Sequence, residues 1–205
     1  MRIIPIARPP GEIAVETQKA HASSMRNWDA IMQKHAWLES VGPEAQEICR
    51  SKAPVGQRYR QLLALADRVC EAITPLSACR EGCSHCCHMP VPISGTEANW
   101  IGKRIDVKPH PVPHRPLDTV RQMRDTLVGV PCTFLRQGKC SIYAYRPLPC
   151  RMHFNLADTS YMCRTDIPPE QTWVPAPSFD QLNSAVIEMI GGETQGDIRE
   201  LFRPR

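Results

Sequence analysis

The clearest pattern of apolar and polar positions in this chain lies between residues 57 and 73. Seven residues there share one helical face; they are Tyr59, Leu62, Leu63, Ala66, Val69, Cys70 and Ile73. The charged residues lie mostly on other faces, which is the pattern of an amphipathic helix that covers a core. Proline disfavours helical backbone in the residue before it, so Thr74-Pro75 is expected to end this helix.

Weaker helical patterns occur on both sides of this segment. A mixed apolar face over residues 11–40 predicts one or two helices, which Gly42-Pro43 is expected to break. The run from Ser94 to Glu97 has the form of a capping box that opens a helix ending near Ile105. Three further helices are predicted, and they cover residues 117–127, 179–190 and 197–202.

Residues 132–163 show little helical period and are expected to form loops and short turns. We therefore predict a mainly α fold, a small irregular helical domain whose loops wrap around a cysteine-ligated metal centre. The whole chain is predicted to be a single domain, 1–205. Its parts are a helical N-terminal part at 1–74, a cysteine-rich metal-binding core at 75–165 and a helical C-terminal part at 166–205.

Composition narrows the class of protein. Hydrophobic residues make up 42% of the chain, which is too many for a disordered segment. The 20 prolines and the low aromatic content of 6% favour short elements joined by stiff loops. The net charge is +4 with a pI of about 8.6, and the basic residues are scattered. Nucleic-acid binding is not expected, because it requires a concentrated basic surface.

Membrane insertion and secretion are not expected either. The first ten residues lack the long apolar run of a secretory signal, and no run of about 18 apolar residues occurs. We therefore expect a cytoplasmic protein whose thiols stay reduced.

The cysteines carry the candidate chemistry. Of the ten in the chain, eight are clustered, and they are Cys79, Cys83, Cys86, Cys87, Cys132, Cys140, Cys150 and Cys163. Inside a cell such a cluster is typical of metal binding, because thiolate sulfur is a soft, charged donor for zinc and iron–sulfur centres. Cys49 and Cys70 lie outside the cluster. We interpret Cys70, on the apolar face of its helix, as a core residue and the isolated Cys49 as a structural or free thiol.

The adjacent pair Cys86-Cys87 constrains the type of site. Neighbouring side chains point in different directions, so one tetrahedral zinc rarely takes both. Such a pair suits two metals, one polynuclear cluster, or one ligand beside a core thiol.

Two blocks of the sequence carry a family pattern. The first contains Cys79, Cys83, Cys86 and Cys87; the second reads PC-x-F-L from Pro131 and then C-x-I-Y-x-x-R-P-x-x-C-R from Cys140 to Arg151. These blocks resemble the CxxCxxCC family of zinc- or iron-chelating domains, which is similar to the cysteine-rich part of flagellin lysine N-methylases. Ser84 departs from the glycine usual in the family. The resemblance implies a metal centre that holds an iron–sulfur cluster or zinc.

All eight clustered cysteines are our predicted metal ligands. Arg146 and Arg151 are predicted to bind the cofactor, because guanidinium groups can donate hydrogen bonds to its sulfurs and offset thiolate charge. His85, His88 and His153 flank the cysteines, and we interpret them as neighbours of the site rather than ligands.

We predict a four-iron cluster, which needs four thiolates, in electron transfer or in support of a protein-modifying step. The alternative is a structural zinc domain that binds a protein. An enzyme is a third possibility that rests on family analogy alone. The sequence contains no hydrolase or nucleotide-binding motif. A protein partner is expected in the first two cases.

Overall fold

A computed structural model describes residues 10–113 and 126–203. Within these ranges the protein is mainly α, as predicted. The helices are α1 (Pro10–Lys34), α2 (Val41–Arg50), α3 (Val55–Ile73), α4 (Gly95–Ile105), α5 (Leu148–Arg151), α6 (Asp180–Ile190) and α7 (Ile198–Leu201). The strands are β1 (Pro92–Ser94), β2 (Leu135–Arg136), β3 (Lys139–Cys140) and β4 (Gln195–Asp197). None of the described helices combines the length and apolar character needed to cross a membrane.

The N-terminal segment forms helices as predicted, but the break predicted at Gly42-Pro43 does not occur. Residues 11–40 form α1 and a short 3-10 helix at Ala36–Ser40. Gly42 and Pro43 do not break the chain there, because they lie in the first turn of α2. The first turn of a helix tolerates proline, since its backbone N–H groups have no partner within the helix.

The core centres on α3, which ends at Ile73 as predicted and begins at Val55, slightly before the predicted start at Gln57. Ile31, Leu62, Ile73 and Leu182 bring α1, α3 and α6 into one buried hydrophobic cluster. Burying a side chain of this size stabilises the fold by about 1.5–3 kcal/mol relative to leaving it in water. Cys49 and Cys70 also lie buried in this cluster, outside the cysteine-rich region.

The capping box of α4 is confirmed. The Ser94 hydroxyl accepts a hydrogen bond from the Glu97 backbone N–H at 3.2 Å, and the Ser94 N–H donates to the Glu97 carboxylate at 3.1 Å. The helix ends where Asp106 adopts a positive φ of 53°. Most of the helix predicted at 117–127 lies outside the described residues.

A second hydrophobic cluster joins the middle of the chain to its C-terminal part. Strands β1 and β4 pair in antiparallel fashion, with Ile93 opposite Gly196. The predicted helices at 179–190 and 197–202 are confirmed as α6 and α7. Ile101 and Ile198 are buried in this cluster, and three of the clustered cysteines, Cys132, Cys140 and Cys150, pack against it.

Candidate metal centre

Six of the eight predicted thiols line one cavity, which we call the thiol cavity. It has a volume of about 380 Å³ and is lined by Cys83, Cys86, Cys87, Cys132, Cys140 and Cys150. Much of the remaining wall is apolar and includes Val91, Phe134 and Ile142. Arg146 also lines it. The structure therefore brings together thiols that are separated by up to 67 positions in the sequence.

Backbone hydrogen bonds hold the segments that carry Cys87, Cys132 and Cys140 around this cavity. The Cys132 N–H donates to the Cys87 carbonyl at 2.7 Å, which joins the two cysteine blocks directly. Strands β2 and β3 form a hairpin in which Leu135 lies opposite Cys140. Its two-residue turn has positive φ at Gln137 and Gly138, and such a turn suits a tight hairpin. The hairpin brings Cys140 back beside Cys132.

The short helix α5 carries Cys150 and is held by α4. Its first residue, Leu148, donates its backbone N–H to the Glu97 carboxylate at 3.1 Å. The Tyr59 hydroxyl donates to the same carboxylate, also at 3.1 Å. Glu97 is only 5% exposed, and this burial raises its pKa. The capping residue of one helix therefore also positions a cysteine on another.

Arg199 holds the cysteine loops together and was missed in the sequence. Its guanidinium donates to the carbonyls of Val130 (2.7 Å), Met89 (2.9 Å), Pro131 (3.2 Å) and Cys87 (3.4 Å). It also pairs with the buried carboxylate of Asp197 at 2.9 Å. The capping pattern of Asp197 and Glu200 is visible in the sequence, but nothing there links Arg199 to the cysteines.

The two predicted cofactor-binding arginines have different surroundings. Arg146 lines the thiol cavity, stacks on the Tyr143 ring at 4.0 Å and donates to the Cys70 sulfur at 3.6 Å. Arg151 is buried, forms an ion pair with Asp67 and donates to the carbonyls of Arg146 and Ala144. Arg151 thus fixes the loop before α5, and only Arg146 reaches the cavity wall.

Cys79 and Cys163 are not among the residues that line the thiol cavity, and Asn155 contacts both of them. The Asn155 backbone N–H points to the Cys79 sulfur at 3.3 Å, and its side-chain amide donates to the Cys163 sulfur at 3.1 Å. Cys163 also lines a smaller cavity of about 90 Å³ together with Cys86 and His153. Cys86 is therefore shared between the two cavities.

The three flanking histidines lie outside the thiol cavity. His85 and His88 line an open groove on the other side of their loop, and the His88 ring lies 3.1 Å from the Ser84 carbonyl. Burial lowers the pKa of His85 and of His153. These placements agree with their interpretation as neighbours of the thiols.

Burial governs the protonation of the cavity thiols. It raises the pKa of Cys132, Cys140 and Cys150, and neighbouring cysteines raise each of them further. Cys86 differs, because a hydrogen bond from Cys87 lowers its pKa to about 7. A bound cation changes this balance, since metal coordination removes the thiol proton.

The donor set fits a zinc or iron–sulfur centre in its chemistry. All ten cysteines are free thiols. Within residues 10–113 and 126–203, no three His, Cys, Asp or Glu side chains stand arranged to hold a metal ion as they are. The thiols therefore line the walls of one cavity and do not converge on a single point.

Comparison with known families tests the sequence pattern. Residues 78–167 match the model of the CxxCxxCC family, which is described as a putative zinc- or iron-chelating domain. The match covers 90 of the 205 residues of the chain, and over this segment the chain is similar to that family. No curated protein matches the chain, and no solved structure matches it either.

The matched segment contains all eight clustered cysteines together with Arg146, Arg151 and Asn155. The family match supports metal binding by this domain. Glu97 is also part of it, whereas Asp197 and Arg199 lie beyond its end. The C-terminal part of the chain thus supplies contacts that fix the loops of the domain.

Proposed function

We propose that the thiol cavity holds an iron–sulfur cluster of the four-iron type. The observation that carries this proposal is the set of six thiols around one cavity of about 380 Å³. Four thiolates around one zinc, with Zn–S bonds of about 2.3 Å, pack closely around a single ion and need no such space. A four-iron cluster occupies a larger volume and takes four cysteine thiolates.

Cys87, Cys132, Cys140 and Cys150 are the four ligands that we assign to the cluster. Cys140 lies opposite Leu135 in the β2–β3 hairpin, and the Leu135 backbone N–H donates to the Cys132 carbonyl at 2.9 Å. Cys132 is in turn joined to Cys87 through the backbone. The pKa of Cys87 is raised by its hydrogen bond with Cys86, by burial and by the charges of Cys132 and Cys140. The pKa of Cys150 is raised by burial and then by the charges of Cys86, Cys132 and Cys140, which supports the closeness of these thiols. Cys83 and Cys86 line the same cavity from the first block.

The surroundings of Arg146 favour an iron–sulfur cluster, because the sulfurs of such a cluster can accept hydrogen bonds. Its Nε is buried, and among the described residues it has no hydrogen-bond acceptor. A buried donor without a partner costs about 1–3 kcal/mol, so an acceptor at this point is favourable. Hydrogen bonds to cluster sulfurs also help to set a reduction potential. The guanidinium charge offsets the negative charge of four thiolates.

Electron transfer is the role that we propose for the cluster. Four protein thiolates fill the available ligand position of each iron, which leaves none for a substrate. The cluster then exchanges electrons with a protein partner. Exposed apolar side chains beside the ligand loops, such as Met89, Val130 and Tyr143, offer the contact surface that such an encounter requires.

Metal and sulfide analysis of protein purified without oxygen tests this proposal. We expect about four iron and four sulfide per chain. The double variant Cys132→Ser/Cys140→Ser is expected to lose both, while Cys49→Ala, which removes a buried thiol of the helical core, is expected to keep them. Zinc in place of iron at these cysteines would support the alternative, a structural zinc domain. Iron that survives in the double variant would refute the ligand assignment.

A further inference from the structure

We infer that an acidic electron-transfer protein docks on the 3-10 turn Tyr143–Tyr145, which borders the thiol cavity. The inference deepens the proposed function and rests on it in one respect, because the partner exchanges electrons with the cluster. The docking surface consists of aromatic rings and arginines on two sides of this turn, and we call it the aromatic–arginine strip. Its members are Trp100, Arg104, Tyr143, Tyr145 and Arg146.

The exposed rings of the turn are the first observation. Tyr143 is 48% exposed and Tyr145 is 40% exposed. Side chains two positions apart on a 3-10 turn point about 120° apart, so the two rings lie on different sides of it. Both follow Cys140 and precede Cys150, two of the assigned cluster ligands. Tyrosine and tryptophan are enriched among the residues that carry the binding energy of protein interfaces, because each combines a large apolar ring with a polar atom.

Each tyrosine belongs to a stack that contains an arginine. The Arg146 guanidinium lies 4.0 Å from the centre of the Tyr143 ring. On the other side of the turn, Tyr145 meets the Trp100 ring edge-on, with 6.3 Å between the ring centres. Arg104 lies over that Trp100 ring, 3.8 Å from its centre. Stacking holds these side chains in place before a partner arrives, so less conformational entropy is lost on binding.

The charge of the strip favours an acidic partner. Among the described residues, no carboxylate forms an ion pair with Arg104 or with Arg146, whose hydrogen bonds go to a carbonyl and to a sulfur. Two carboxylates near the turn are already paired with cations, in the pairs Asp67–Arg151 and Glu81–Lys139. The strip therefore presents two positive charges that a carboxylate-rich surface can offset, and guanidinium groups suit carboxylates well.

The charge of the whole chain is distributed in the same sense. Residues 78–167 contain 12 Lys or Arg and 7 Asp or Glu, whereas the rest of the chain contains 13 and 14. The net charge of +4 therefore resides in the segment that carries the clustered cysteines. A positive face attracts a negative partner over a distance and orients it before contact.

The strip adjoins the proposed cluster. Tyr143 and Ala144 line the thiol cavity and are also exposed to solvent, so a partner that covers the turn is separated from the cavity by this single layer of residues. One electron passes between the cluster and the redox centre of the partner, so that the donor is oxidised by one electron and the acceptor is reduced by one. No bond forms or breaks, and the thiolate ligands stay in place.

Footprinting of the wild-type protein with charged polypeptides tests the docking surface. Poly-L-glutamate stands in for the acidic partner, and poly-L-lysine is the control of opposite charge. We expect poly-L-glutamate at low salt to protect Tyr143 and Tyr145 from hydroxyl radicals, as read by mass spectrometry, and poly-L-lysine to leave both unprotected. Trp173 is the control ring, because it is 47% exposed and lies outside the strip. Equal protection of Trp173, or no protection of the tyrosines, would overturn the inference.

Two further outcomes of footprinting separate the alternatives. Protection of the tyrosines by a single-stranded oligonucleotide at lower concentrations than by poly-L-glutamate would assign the strip to nucleic acid and overturn the inference. Protection by poly-L-glutamate in a protein that contains zinc and no iron would refute the proposed cluster and support an acidic partner for the strip.

Oxidation of the reduced cluster by two small ions tests the electron path. Hexacyanoferrate(III), an anion, and hexaamminecobalt(III), a cation, each accept one electron from the cluster. We expect the rate with hexacyanoferrate(III) to rise as the salt concentration is lowered, and the rate with hexaamminecobalt(III) to fall. The reverse dependence on salt would contradict a positive docking surface.

A matched pair of variants locates this effect. Arg104→Ala removes an arginine of the strip, and Arg68→Ala removes one that lies 4.7 Å from the Trp37 ring and pairs with Glu44. The two variants have the same net charge. At low salt we expect Arg104→Ala to slow oxidation by hexacyanoferrate(III) about two- to fivefold, and Arg68→Ala to slow it less than about 1.5-fold. Equal slowing would show that the overall charge, and not the strip, attracts the anion, and the inference would fail.

Discussion

Arg199 shows how one side chain can fix several loops at once. Its guanidinium binds four carbonyls from the two cysteine blocks and pairs with Asp197, and both side chains of that pair are less than 10% exposed. Its sequence context suggested only the start of a short helix. Its role depends on the pairing of β1 with β4, which a sequence pattern of three residues per strand cannot reveal.

We expect Arg199→Ala to destabilise the protein by about 3–5 kcal/mol, because it leaves the buried Asp197 carboxylate unpaired. Arg199→Lys should recover only part of this loss, since one ammonium cannot reach four carbonyls. Urea unfolding measures both. Arg203→Ala, at an exposed position of the same segment, is the control and should change stability by less than about 0.5 kcal/mol. An equally small change at Arg199 would contradict the proposed role.

The raised pKa of Glu97 predicts that the free energy of unfolding depends on pH. Burial raises its pKa in the folded protein, so the folded state keeps this proton to a higher pH than the unfolded chain does. Its contribution to the free energy of unfolding is therefore complete at acidic pH and falls as pH rises through the raised pKa. We expect the stability of wild type relative to Glu97→Gln to decrease as the pH rises above the ordinary pKa of a glutamate, about 4.3.

Urea unfolding of the two proteins at each pH checks this prediction, with Glu47→Gln at an exposed position of α2 as the control. A relative stability that grows with pH would mean that hydrogen bonds to the Glu97 carboxylate outweigh its burial.

At the scale of elements, the strongest helices could be predicted and the turns between them could not. The apolar face of α3 and the capping box of α4 are local features, and the structure confirms both. The helix α2 was missed because Gly42-Pro43 is typical of a break. Gly42 instead allows α2 to pack closely against α6, because a Cβ at Gly42 would lie 2.7 Å from the Cβ of Gln181.

Gly42→Ala therefore tests the contact between α2 and α6. Alanine favours a helix by up to about 1 kcal/mol, but the clash with Gln181 should outweigh this and cost about 1–3 kcal/mol in total. In the double variant Gly42→Ala/Gln181→Gly, most of the loss should be recovered. Thermal unfolding of the single and double variants measures the coupling. Gly56→Ala is the control, because a Cβ there meets nothing within 4 Å. A stabilised Gly42→Ala would show that the helices separate easily.

At the scale of the whole molecule, the described residues contain a helical core and a cysteine-rich core with different dependence on metal. The first cluster, built on α1, α2, α3 and α6, includes none of the predicted ligands. The second cluster packs directly against Cys132, Cys140 and Cys150. Metal binding and folding should therefore be coupled mainly in the second.

We expect metal removal by a chelator to leave the helical core folded. Hydrogen exchange should stay slow in α3, whereas residues 83–88 and 132–145 should exchange faster, because their order depends on the metal. Hydrogen exchange followed by mass spectrometry, with and without chelator, measures this difference. An equal loss of protection in α3 would show that the two cores unfold together.

The sequence by itself determined that the chain is mainly helical, where most of the helices lie, and that the cysteines form a metal-binding domain. These properties depend on local spacing and on residue type, which the order of amino acids records directly. Only the tertiary structure decided which thiols face one cavity, that Arg146 rather than Arg151 reaches it, and that Asn155 lies between Cys79 and Cys163. The physical reason is that loop conformation depends on distant hydrogen bonds, such as those of Arg199 and Glu97, which no local pattern encodes.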